Sequence, residues 1–321
     1  MLTVVALGGN ALLERDDKPD AVIQRHHIQR AAAALAPLAE EGRLLLTHGN
    51  GPQIGLLAAE SQDDPALSTA YPLDALGAQT QGMIGYWLAQ ELHNAGVTRP
   101  VVCVVTQTVV DHADPAFASP SKFIGRVCTR SEAEQLAARN GWQVHADGPA
   151  WRRVVASPEP LCIVEQDSVR RLLDSGAVVI CAGGGGAPVT RDELGHLSGV
   201  EAVVDKDYTS ARIALDLGAD RLLLLTDVAA VIRGFGTPEA EPINRISVAE
   251  LADLQLPEGS MGPKVEACAR FTGATGRSSA IGALAEAADI LRGEAGTTVT
   301  AGRGSQAPDP PDPPGPADPS G

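Results

Sequence analysis

The sequence lacks an excess of positive charge. Its 321 residues include 25 lysine and arginine residues against 40 aspartate and glutamate residues, which gives a formal net charge of −15 at pH 7. Nucleic acids and anionic membranes attract positive protein surfaces, so neither is expected to be the main partner. A small anionic substrate is still compatible with this charge, because a few local cations can dominate a closed site.

Paired cysteines and long apolar runs are missing as well. No C-x-x-C pair and no zinc-ligand spacing of His or Cys occurs, and no apolar run approaches the ~20 residues that span a bilayer. The cysteines are scattered, as is typical of reduced thiols rather than of a disulfide framework. They are Cys103, Cys128, Cys162, Cys181 and Cys268. We therefore expect a cytoplasmic protein in which no metal is held by protein side chains.

Two common phosphate-binding motifs are absent too. No GxxxxGK[ST] occurs, which excludes a P-loop enzyme. The segment "GNGPQIG" is one residue longer than the dinucleotide fingerprint, so a nicotinamide enzyme is disfavoured.

Apolar runs alternate with helical patterns along the chain. Strands are predicted at "VVAL", "RLLLTHGNG", "VVCVVTQTVV" (101–110), "AVVICAGGGG" and "RLLLLTDV", with "RSSAIGAL" and "GTTVTA" as the last two. A helix between two strands forms a right-handed crossover and a parallel pair. Continuous apolar runs suit strands that are covered on both faces. The pattern predicts an α/β fold, a three-layer αβα sandwich around a mainly parallel open sheet.

Two segments depart from this alternation. Residues 111–160 contain five prolines and one clear helix, in which Ser131 and Glu134 have the spacing of a capping box. We predict that they form a small protruding subdomain, either a lid or a purely structural excursion, within a domain of residues 1–301. Residues 302–321 are rich in proline with almost nothing apolar, which predicts a disordered tail.

Three glycine-rich turns follow three of the predicted strands. In a parallel sheet they would meet at the carboxyl edge, where ligands bind. Their backbone N–H groups would form a shared anion site there. The residues are Gly8, Gly9 and Asn10; Gly49, Asn50 and Gly51; and Gly183, Gly184, Gly185 and Gly186.

Two lysines occur at predicted helix starts. Lys206 lies between Asp205 and Asp207, and Lys264 follows Pro263 in a first helical turn. A cation at a helix N-terminus opposes the macrodipole. These lysines are either salt-bridged parts of helix caps or a clamp for a strongly negative ligand such as phosphate.

These segments together resemble the carbamate kinases, a branch of the amino-acid-kinase superfamily. The resemblance rests on "ALGGNAL", "THGNGPQIG", "PLDALGAQTQGMIGYWL", "AGGGGAPV", "EAVVDKDYTSA", "LLLLTDVAAV" and "GSMGPKVEA", and it runs from residue 1 to about 301. It implies the amino-acid-kinase fold, cytoplasmic arginine metabolism and a homodimer. The implied activity is a reversible phosphoryl transfer between carbamoyl phosphate and ADP that gives ATP and carbamate, with Mg²⁺.

The resemblance also implies roles for individual residues. Lys206, Lys264, Asp207 and Lys122 would be catalytic, and the three glycine-rich turns would bind phosphate. Nucleotide would be bound by Asp205, Thr226, Asp227, Val228, Met261 and Gly262. The sequence departs from the family after Lys122, where it reads "FIGRVC", and at Ile232, where the family often has tyrosine.

Two alternative functions stay open from the sequence. One is a kinase of the same superfamily that acts on another small carboxylate. Ala6 argues against it, because such relatives would carry lysine at that position. The other is an inactive nucleotide-binding regulator, which the joint presence of Lys206, Asp207 and Lys264 disfavours.

Overall fold

A computed structural model describes residues 1–9, 12–13, 17–254 and 261–302. The strands of this part of the chain are β1 (Leu2–Leu7), β2 (Arg43–His48), β3 (Val101–Cys103), β4 (Gln107–Val109), β5 (Lys122–Cys128), β6 (Gln143–Asp147), β7 (Ala150–Val155), β8 (Cys162–Ile163), β9 (Val178–Ile180), β10 (Ala187–Arg191), β11 (Leu197–Gly199), β12 (Arg221–Thr226), β13 (Val231–Arg233), β14 (Glu241–Ile243), β15 (Arg245–Ser247), β16 (Ser279–Ala283) and β17 (Thr297–Thr300). The helices are α1 (Ala21–Glu40), α2 (Gly51–Asp63), α3 (Leu73–Asn94), α4 (Arg130–Asn140), α5 (Gln166–Asp174), α6 (Lys206–Leu217), α7 (Val248–Ala252), α8 (Met261–Thr275) and α9 (Ala287–Arg292). None of the helices in these residues has the length and hydropathy of a membrane span.

A central sheet organises the described residues. Its strands lie in the order β15-β17-β16-β12-β1-β2-β9-β3. The pairs from β16 to β3 are parallel, whereas β17 runs antiparallel to β16. The predicted α/β fold around a mainly parallel sheet is therefore confirmed.

The two faces of the sheet pack against different helices. Along β1, Val4 and Ala6 belong to one core cluster, which includes Ile213 of α6 and Phe271 of α8. Val5 and Leu7 belong to a second cluster, formed with side chains of α1, α3 and α9. Alternation along a strand thus supplies both cores, since successive side chains point to opposite faces. Covering both faces explains why every residue of β1 is buried.

The prediction of one strand over 101–110 is wrong. β3 belongs to the central sheet, whereas β4 pairs with β10 and β8 in a second sheet. Between them, the backbone N and Oγ1 of Thr106 both donate to Oε1 of Gln81 on α3, at 3.0 and 3.1 Å. These side-chain bonds take the place of ladder hydrogen bonds, so the chain leaves the central sheet at this point.

Residues 111–160 include a small antiparallel sheet in the order β5-β7-β6, together with α4. The capping box of α4 is formed by Thr129 and Glu132 instead of Ser131 and Glu134. Thr129 Oγ1 accepts from the backbone N of Glu132, and a Glu132 carboxylate oxygen accepts from the backbone N of Thr129. The helix therefore begins earlier than predicted, because threonine caps as serine does.

Strand β5 lies directly against helix α2. A Cβ built on Gly55 of α2 would overlap the backbone of Gly125 in β5, where φ is +74°. Glycine is needed on both sides of this contact, for closeness at Gly55 and for the left-handed backbone at Gly125. Whether residues 111–160 move as a unit stays a prediction, and the tail from residue 303 onward lies outside the described residues.

Helix α3 also approaches the central sheet through a glycine. A Cβ on Gly85 would overlap Sγ of Cys103 in β3, whereas a Cβ on Gly82 would meet nothing within 4 Å. We expect Gly85→Ala to lower the free energy of unfolding by roughly 1–3 kcal/mol through overpacking. Adding Cys103→Ala should recover part of that loss, with a coupling energy of about 0.5 kcal/mol or more in a double-mutant cycle measured by urea unfolding.

Gly82→Ala on the same helix is the control. It should be neutral or stabilising by up to about 1 kcal/mol, since alanine is the better helix former. Equal effects of Gly82→Ala and Gly85→Ala would contradict the close contact with Cys103.

Candidate active site

The glycine-rich turns lie together at one edge of the central sheet. β1, β2 and β9 are neighbours and parallel, so the turns that follow them share the carboxyl edge. The first two turns touch, because a Cβ on Gly49 would lie 2.9 Å from the backbone N of Gly9. Asn10 lies outside the described residues. Gly51 begins α2, and a Cβ there would meet nothing within 4 Å.

The third turn packs onto the second. A Cβ on Gly183 would overlap the ring of His48, and a Cβ on Gly184 would overlap the side chain of Asn50. Gly184, Gly185 and Gly186 have φ of +63°, +91° and +84°. Both the close approach and the backbone conformation therefore require glycine here.

A buried cluster of three charges lies at the starts of α6 and α8. The carboxylate of Asp207 accepts from Nζ of Lys206 at 2.5 Å through Oδ1 and from Nζ of Lys264 at 3.1 Å through Oδ2. The side chains of Lys206, Asp207 and Lys264 are 11%, 5% and 7% exposed. Two cations thus flank one carboxylate, and the cluster carries a net positive charge.

Burial and the neighbouring charges shift the pKa values of this cluster. Burial lowers the pKa of Lys206, and Lys264 adds to this effect, while the charge of Asp207 opposes it. For Asp207, burial acts to raise the pKa, but the charges of Lys206 and Lys264 together lower the pKa to about 2. Asp207 is consequently ionised at neutral pH.

Helix α6 connects this cluster to the glycine-rich turns. Asp205 is the N-cap, and its Oδ1 accepts from the backbone N of Asp207 at 2.9 Å. Thr209 Oγ1 donates to the carbonyl O of Gly185 at 3.1 Å. A Cβ on Gly49 would lie 3.4 Å from Cε of Lys206. The two sequence interpretations of the lysines, cap and clamp, are therefore compatible, since the capped helix start lies against the glycine-rich edge.

Lys122 reaches the site from the small sheet. Its Nζ forms an ion pair with Oδ2 of Asp205, and its side chain is 33% exposed. Lys122 begins β5, the strand that lies against α2. Residues from 111–160 therefore contribute a third lysine beside the N-cap of α6.

Only some of the residues predicted to bind nucleotide lie near this edge of the central sheet. Thr226 ends β12, and a Cβ on Gly8 would lie 3.4 Å from Thr226 Oγ1, which donates to Asp227 Oδ1 at 2.9 Å. Asp227 and Val228 are exposed. Met261 and Gly262 are the first two residues of α8, which carries Lys264.

His48 was not predicted as a site residue, although it lies within "THGNG". Its side chain is buried, and Nδ1 donates to the carbonyl O of Gly49 at 3.0 Å. Burial lowers the pKa of His48 to about 4, and the charge of Lys206 acts in the same direction. The imidazole is therefore neutral at pH 7 and fills the space between the second and third glycine-rich turns.

The scarcity of lysine is a sequence signal that points to this site. The chain has only four lysines, and three of them, Lys122, Lys206 and Lys264, lie around Asp205 and Asp207. Apart from Lys18, the positive side chains elsewhere in the chain are arginines.

The chain is similar to proteins of known activity over nearly its whole length. The sequence profile of the amino acid kinase family matches residues 1–281. A carbamate kinase of Rhizobium meliloti (strain 1021) is 50% identical over 303 residues, which cover 94% of this chain and 93% of that protein.

Two solved structures extend this similarity to the fold. Carbamate kinase from Giardia lamblia bound to citric acid is 39% identical with a TM-score of 0.87, covering 94% of this chain and 98% of that chain. Carbamate kinase from Giardia lamblia bound to AMP-PNP is 38% identical with a TM-score of 0.85 and the same coverage. The family match at residues 1–281 includes the three glycine-rich turns and both Lys206 and Lys264.

Mildly acidic pH should destabilise the fold, because His48 is protonated more readily in the unfolded chain than in the folded chain. Its pKa falls from an ordinary value of 6.5 to about 4 in the folded chain, so the unfolded chain binds more protons between these values. Stability is therefore fully present above pH 6.5 and is lost as the pH falls towards 4. We expect this loss to be about 3 kcal/mol greater in the wild type than in His48→Asn, measured by urea unfolding.

His145→Gln, at an exposed position on β6, is the control and should retain the pH dependence of the wild type. Measurements stay above pH 4, because the stability that comes from the lowered pKa of Asp207 is lost only below about that value. Parallel pH profiles of His48→Asn and the wild type would show that His48 is not buried in its neutral form.

Proposed function

This chain belongs to the amino acid kinase family, and from this we infer that it has carbamate kinase activity. It is a phosphotransferase that transfers a phosphoryl group between carbamoyl phosphate and ADP, giving ATP and carbamate. The observation that carries this assignment is the Asp207 carboxylate between Lys206 and Lys264 at the glycine-rich edge.

The net charge of this cluster suits phosphoryl transfer. The transferred group spreads negative charge over its equatorial oxygens, and the protein contributes mainly positioning and charge neutralisation. Asp207 holds two ammonium groups in fixed positions before substrate binds. Fixed cations are effective because they need no reorganisation during the reaction.

The backbone of the glycine-rich turns would complete the phosphate site. N–H groups can approach phosphate oxygens closely where no side chain intervenes, as at Gly9 and Gly51, where a Cβ would meet nothing within 4 Å. Carbamate is already an anion, so the reaction requires no strong general base. The neutral state of His48 is consistent with this.

We propose that Mg²⁺ accompanies the nucleotide. Within the described ranges, no group of three or more His, Cys, Asp or Glu side chains could hold a metal ion. Asp205 and Asp207 are both paired with lysines. This fits Mg²⁺, which keeps several waters and is commonly held through substrate phosphates rather than by an all-protein cage. Once bound, it would supply further positive charge to the phosphate oxygens.

We propose that the adenine nucleotide lies on the side of β12 and α8. Thr226, Asp227 and Val228 follow the carboxyl end of β12, and Met261 and Gly262 begin α8. A nucleotide there would place its terminal phosphate towards Lys264 in the same helix. The similarity to carbamate kinase from Giardia lamblia bound to AMP-PNP supports the binding of an adenine nucleotide by this chain.

We propose that the chain forms a homodimer in the cytoplasm and acts in arginine metabolism. On α3, Ile84 and Leu88 are in the core, but Met83 and Trp87 are only partly buried and Tyr86 is 55% exposed. This apolar surface supports an interface through α3.

Sedimentation of the full chain at micromolar concentration should give a dimer, and a monomer would contradict the interface.

The activity is tested directly by ATP formation. Purified protein with ADP and Mg²⁺ should form ATP from carbamoyl phosphate at a much higher kcat/KM than from acetyl phosphate. Turnover of acetyl phosphate alone would instead indicate a kinase for another small carboxylate, and no turnover with either compound would indicate an inactive nucleotide-binding protein.

Replacing a clamp lysine should impair the chemical step. We expect Lys206→Ala and Lys264→Ala each to lower kcat by about 10²–10³, or roughly 3–4 kcal/mol of transition-state stabilisation. Lys206→Arg should not fully restore activity, because a planar guanidinium cannot replace a compact ammonium beside Asp207. Circular dichroism checks that each variant is folded.

Lys122→Ala should give a different kinetic signature. If residues 111–160 close as a lid, the KM for carbamoyl phosphate rises while ADP affinity is nearly constant. Lys18→Ala, at an exposed position, is the matched control and should behave as the wild type.

Near-normal kcat in both Lys206→Ala and Lys264→Ala would contradict the clamp and leave these lysines as parts of helix caps.

A further inference from the structure

A partly exposed ion-pair network has Arg270 of α8 at its centre. Nη1 and Nη2 of Arg270 donate to the two carboxylate oxygens of Glu159, at 2.7 and 2.9 Å. Nε and Nη2 also donate to Oε1 of Glu266, one turn earlier in α8, at 3.1 and 2.6 Å. The guanidinium carbon lies 4.5 Å from the centroid of the Tyr208 ring in α6. Arg270 therefore joins α8 both to α6 and to Glu159.

The geometry of this network differs from that of an isolated surface ion pair. An exposed pair contributes little to stability, because side-chain ordering and solvent screening offset the attraction. A bidentate contact between a guanidinium and a carboxylate is stronger, and it fixes the relative orientation of the two groups. The hydroxyl of Tyr208 donates to Oε2 of Glu266 at 2.6 Å, which orients the second carboxylate that Arg270 contacts. The network can thus hold its members in one arrangement.

Two members of the network lie beside the buried lysine cluster. Tyr208 directly follows Asp207 in α6, and Glu266 lies two residues after Lys264 in α8. The side chains of Asp207 and Lys264 are buried, whereas that of Glu266 is 49% exposed. The hydrogen bond between Tyr208 and Glu266 therefore joins the two helices on their outer side, close to the point where Asp207 joins them from within.

Glu159 connects the network to the strand that carries Lys122. It belongs to the return segment, residues 156–161, which leads from β7 to β8. Lys122 is paired with Val155, the last residue of β7, in the antiparallel ladder between β5 and β7. The carbonyl O of the next residue, Ala156, accepts from the backbone N of Val203 at 2.9 Å. Glu159 thus lies four residues after the ladder partner of Lys122.

Glu159 also holds together the two connections of the small sheet. Its backbone N donates to Oδ2 of Asp114 at 2.9 Å, and Oδ1 of Asp114 accepts from the backbone N of Ala116 at 2.8 Å. Asp114 lies in the connection from β4 to β5, so the outgoing connection and the return segment meet at this contact. The contact of Arg270 with Glu159 consequently fixes the base of the small sheet on α8.

We propose that Arg270 is a positioning residue for phosphoryl transfer, an inference that rests on the carbamate kinase activity proposed above. Through Glu159, it holds β5 where Lys122 reaches Asp205, beside the two clamp lysines. Arg270 acts through Lys122 and takes no part in the chemistry itself. When its pair with Glu159 is lost, Lys122 is in place in only a fraction of the molecules, and the apparent affinity for carbamoyl phosphate falls by that fraction.

Steady-state kinetics separate this role from a general loss of structure. We expect Arg270→Gln and Glu159→Gln each to raise the KM for carbamoyl phosphate by about 3- to 10-fold, because each removes the bidentate pair. The kcat and the KM for ADP should change by less than about twofold, since the loss affects only the fraction of molecules in which Lys122 is in place. Arg270→Lys should restore part of the affinity, because an ammonium keeps the charge without the bidentate contact.

Arg292→Gln is the matched control. The side chain of Arg292 is 50% exposed, against 40% for Arg270, and it also pairs with two carboxylates. Both partners, Asp289 and Glu294, lie within three residues of Arg292 in the chain, so this network does not join distant segments. Arg292→Gln should have the kinetic constants of the wild type.

A double-mutant cycle tests whether Arg270 acts through Lys122. In the Lys122→Ala background, Arg270→Gln should raise the KM for carbamoyl phosphate by no more than about twofold, because residues that act as one unit are not additive. Amide hydrogen exchange of the full chain adds a readout that does not depend on activity. Arg270→Gln should speed exchange at the backbone N–H groups of Glu159 and Val203 by about 3- to 10-fold, while exchange within α1 is unchanged.

The possible outcomes separate this inference from the proposed function. The inference is overturned if Arg270→Gln and Glu159→Gln both keep the wild-type KM for carbamoyl phosphate, or if Arg270→Gln has the same effect with and without Lys122. It is also overturned if Arg292→Gln gives the same kinetic constants as Arg270→Gln. Absence of turnover by the wild type would instead contradict the proposed function, and unchanged exchange at Glu159 and Val203 would then still overturn the positioning role.

Discussion

The carboxylate of Asp207 is the contact on which the rest of the site depends. It is buried and receives a hydrogen bond from a lysine of α6 on one oxygen and from a lysine of α8 on the other. Two buried ammonium groups without this carboxylate would repel each other and lose their partner, at a cost of about 3–5 kcal/mol. The same carboxylate lies in the first turn of α6, where negative charge offsets the unfavourable dipole for Lys206. Asp207 therefore allows lysines at the starts of two helices to lie together in one positively charged site.

Much of this arrangement follows from local sequence and the geometry of parallel sheets. Crossovers through helices place the turns after β1, β2 and β9 at the same edge, so the glycines could be assigned to one site before their contacts were known. Lysines at helix starts require a compensating negative charge, which indicated Asp205 and Asp207 as their neighbours. The family resemblance added Lys122, which no local pattern would have selected.

The features that the sequence did not predict depend on contacts distant along the chain. The strand break after Cys103 results from hydrogen bonds between Thr106 and the side chain of Gln81. Gln81 lies on α3, 25 residues before Thr106 in the chain. His48 has the sequence environment of an ordinary strand end, and its buried neutral state follows only from the third glycine-rich turn packing onto its ring. The close contact of β5 with α2 likewise depends on Gly55 and Gly125, two residues that are distant along the chain.

Because lysine is scarce, only a few side-chain amines of this protein can be labelled chemically. Reagents that acylate amines attack the deprotonated form, so access and charge state decide which lysines react. Lys18 is exposed, whereas Lys206 and Lys264 are nearly covered and the side chain of Lys122, which pairs with Asp205, is 33% exposed. Mass spectrometry of acylated protein would thus yield one freely labelled lysine as an internal reference and three whose labelling reports the state of a single site.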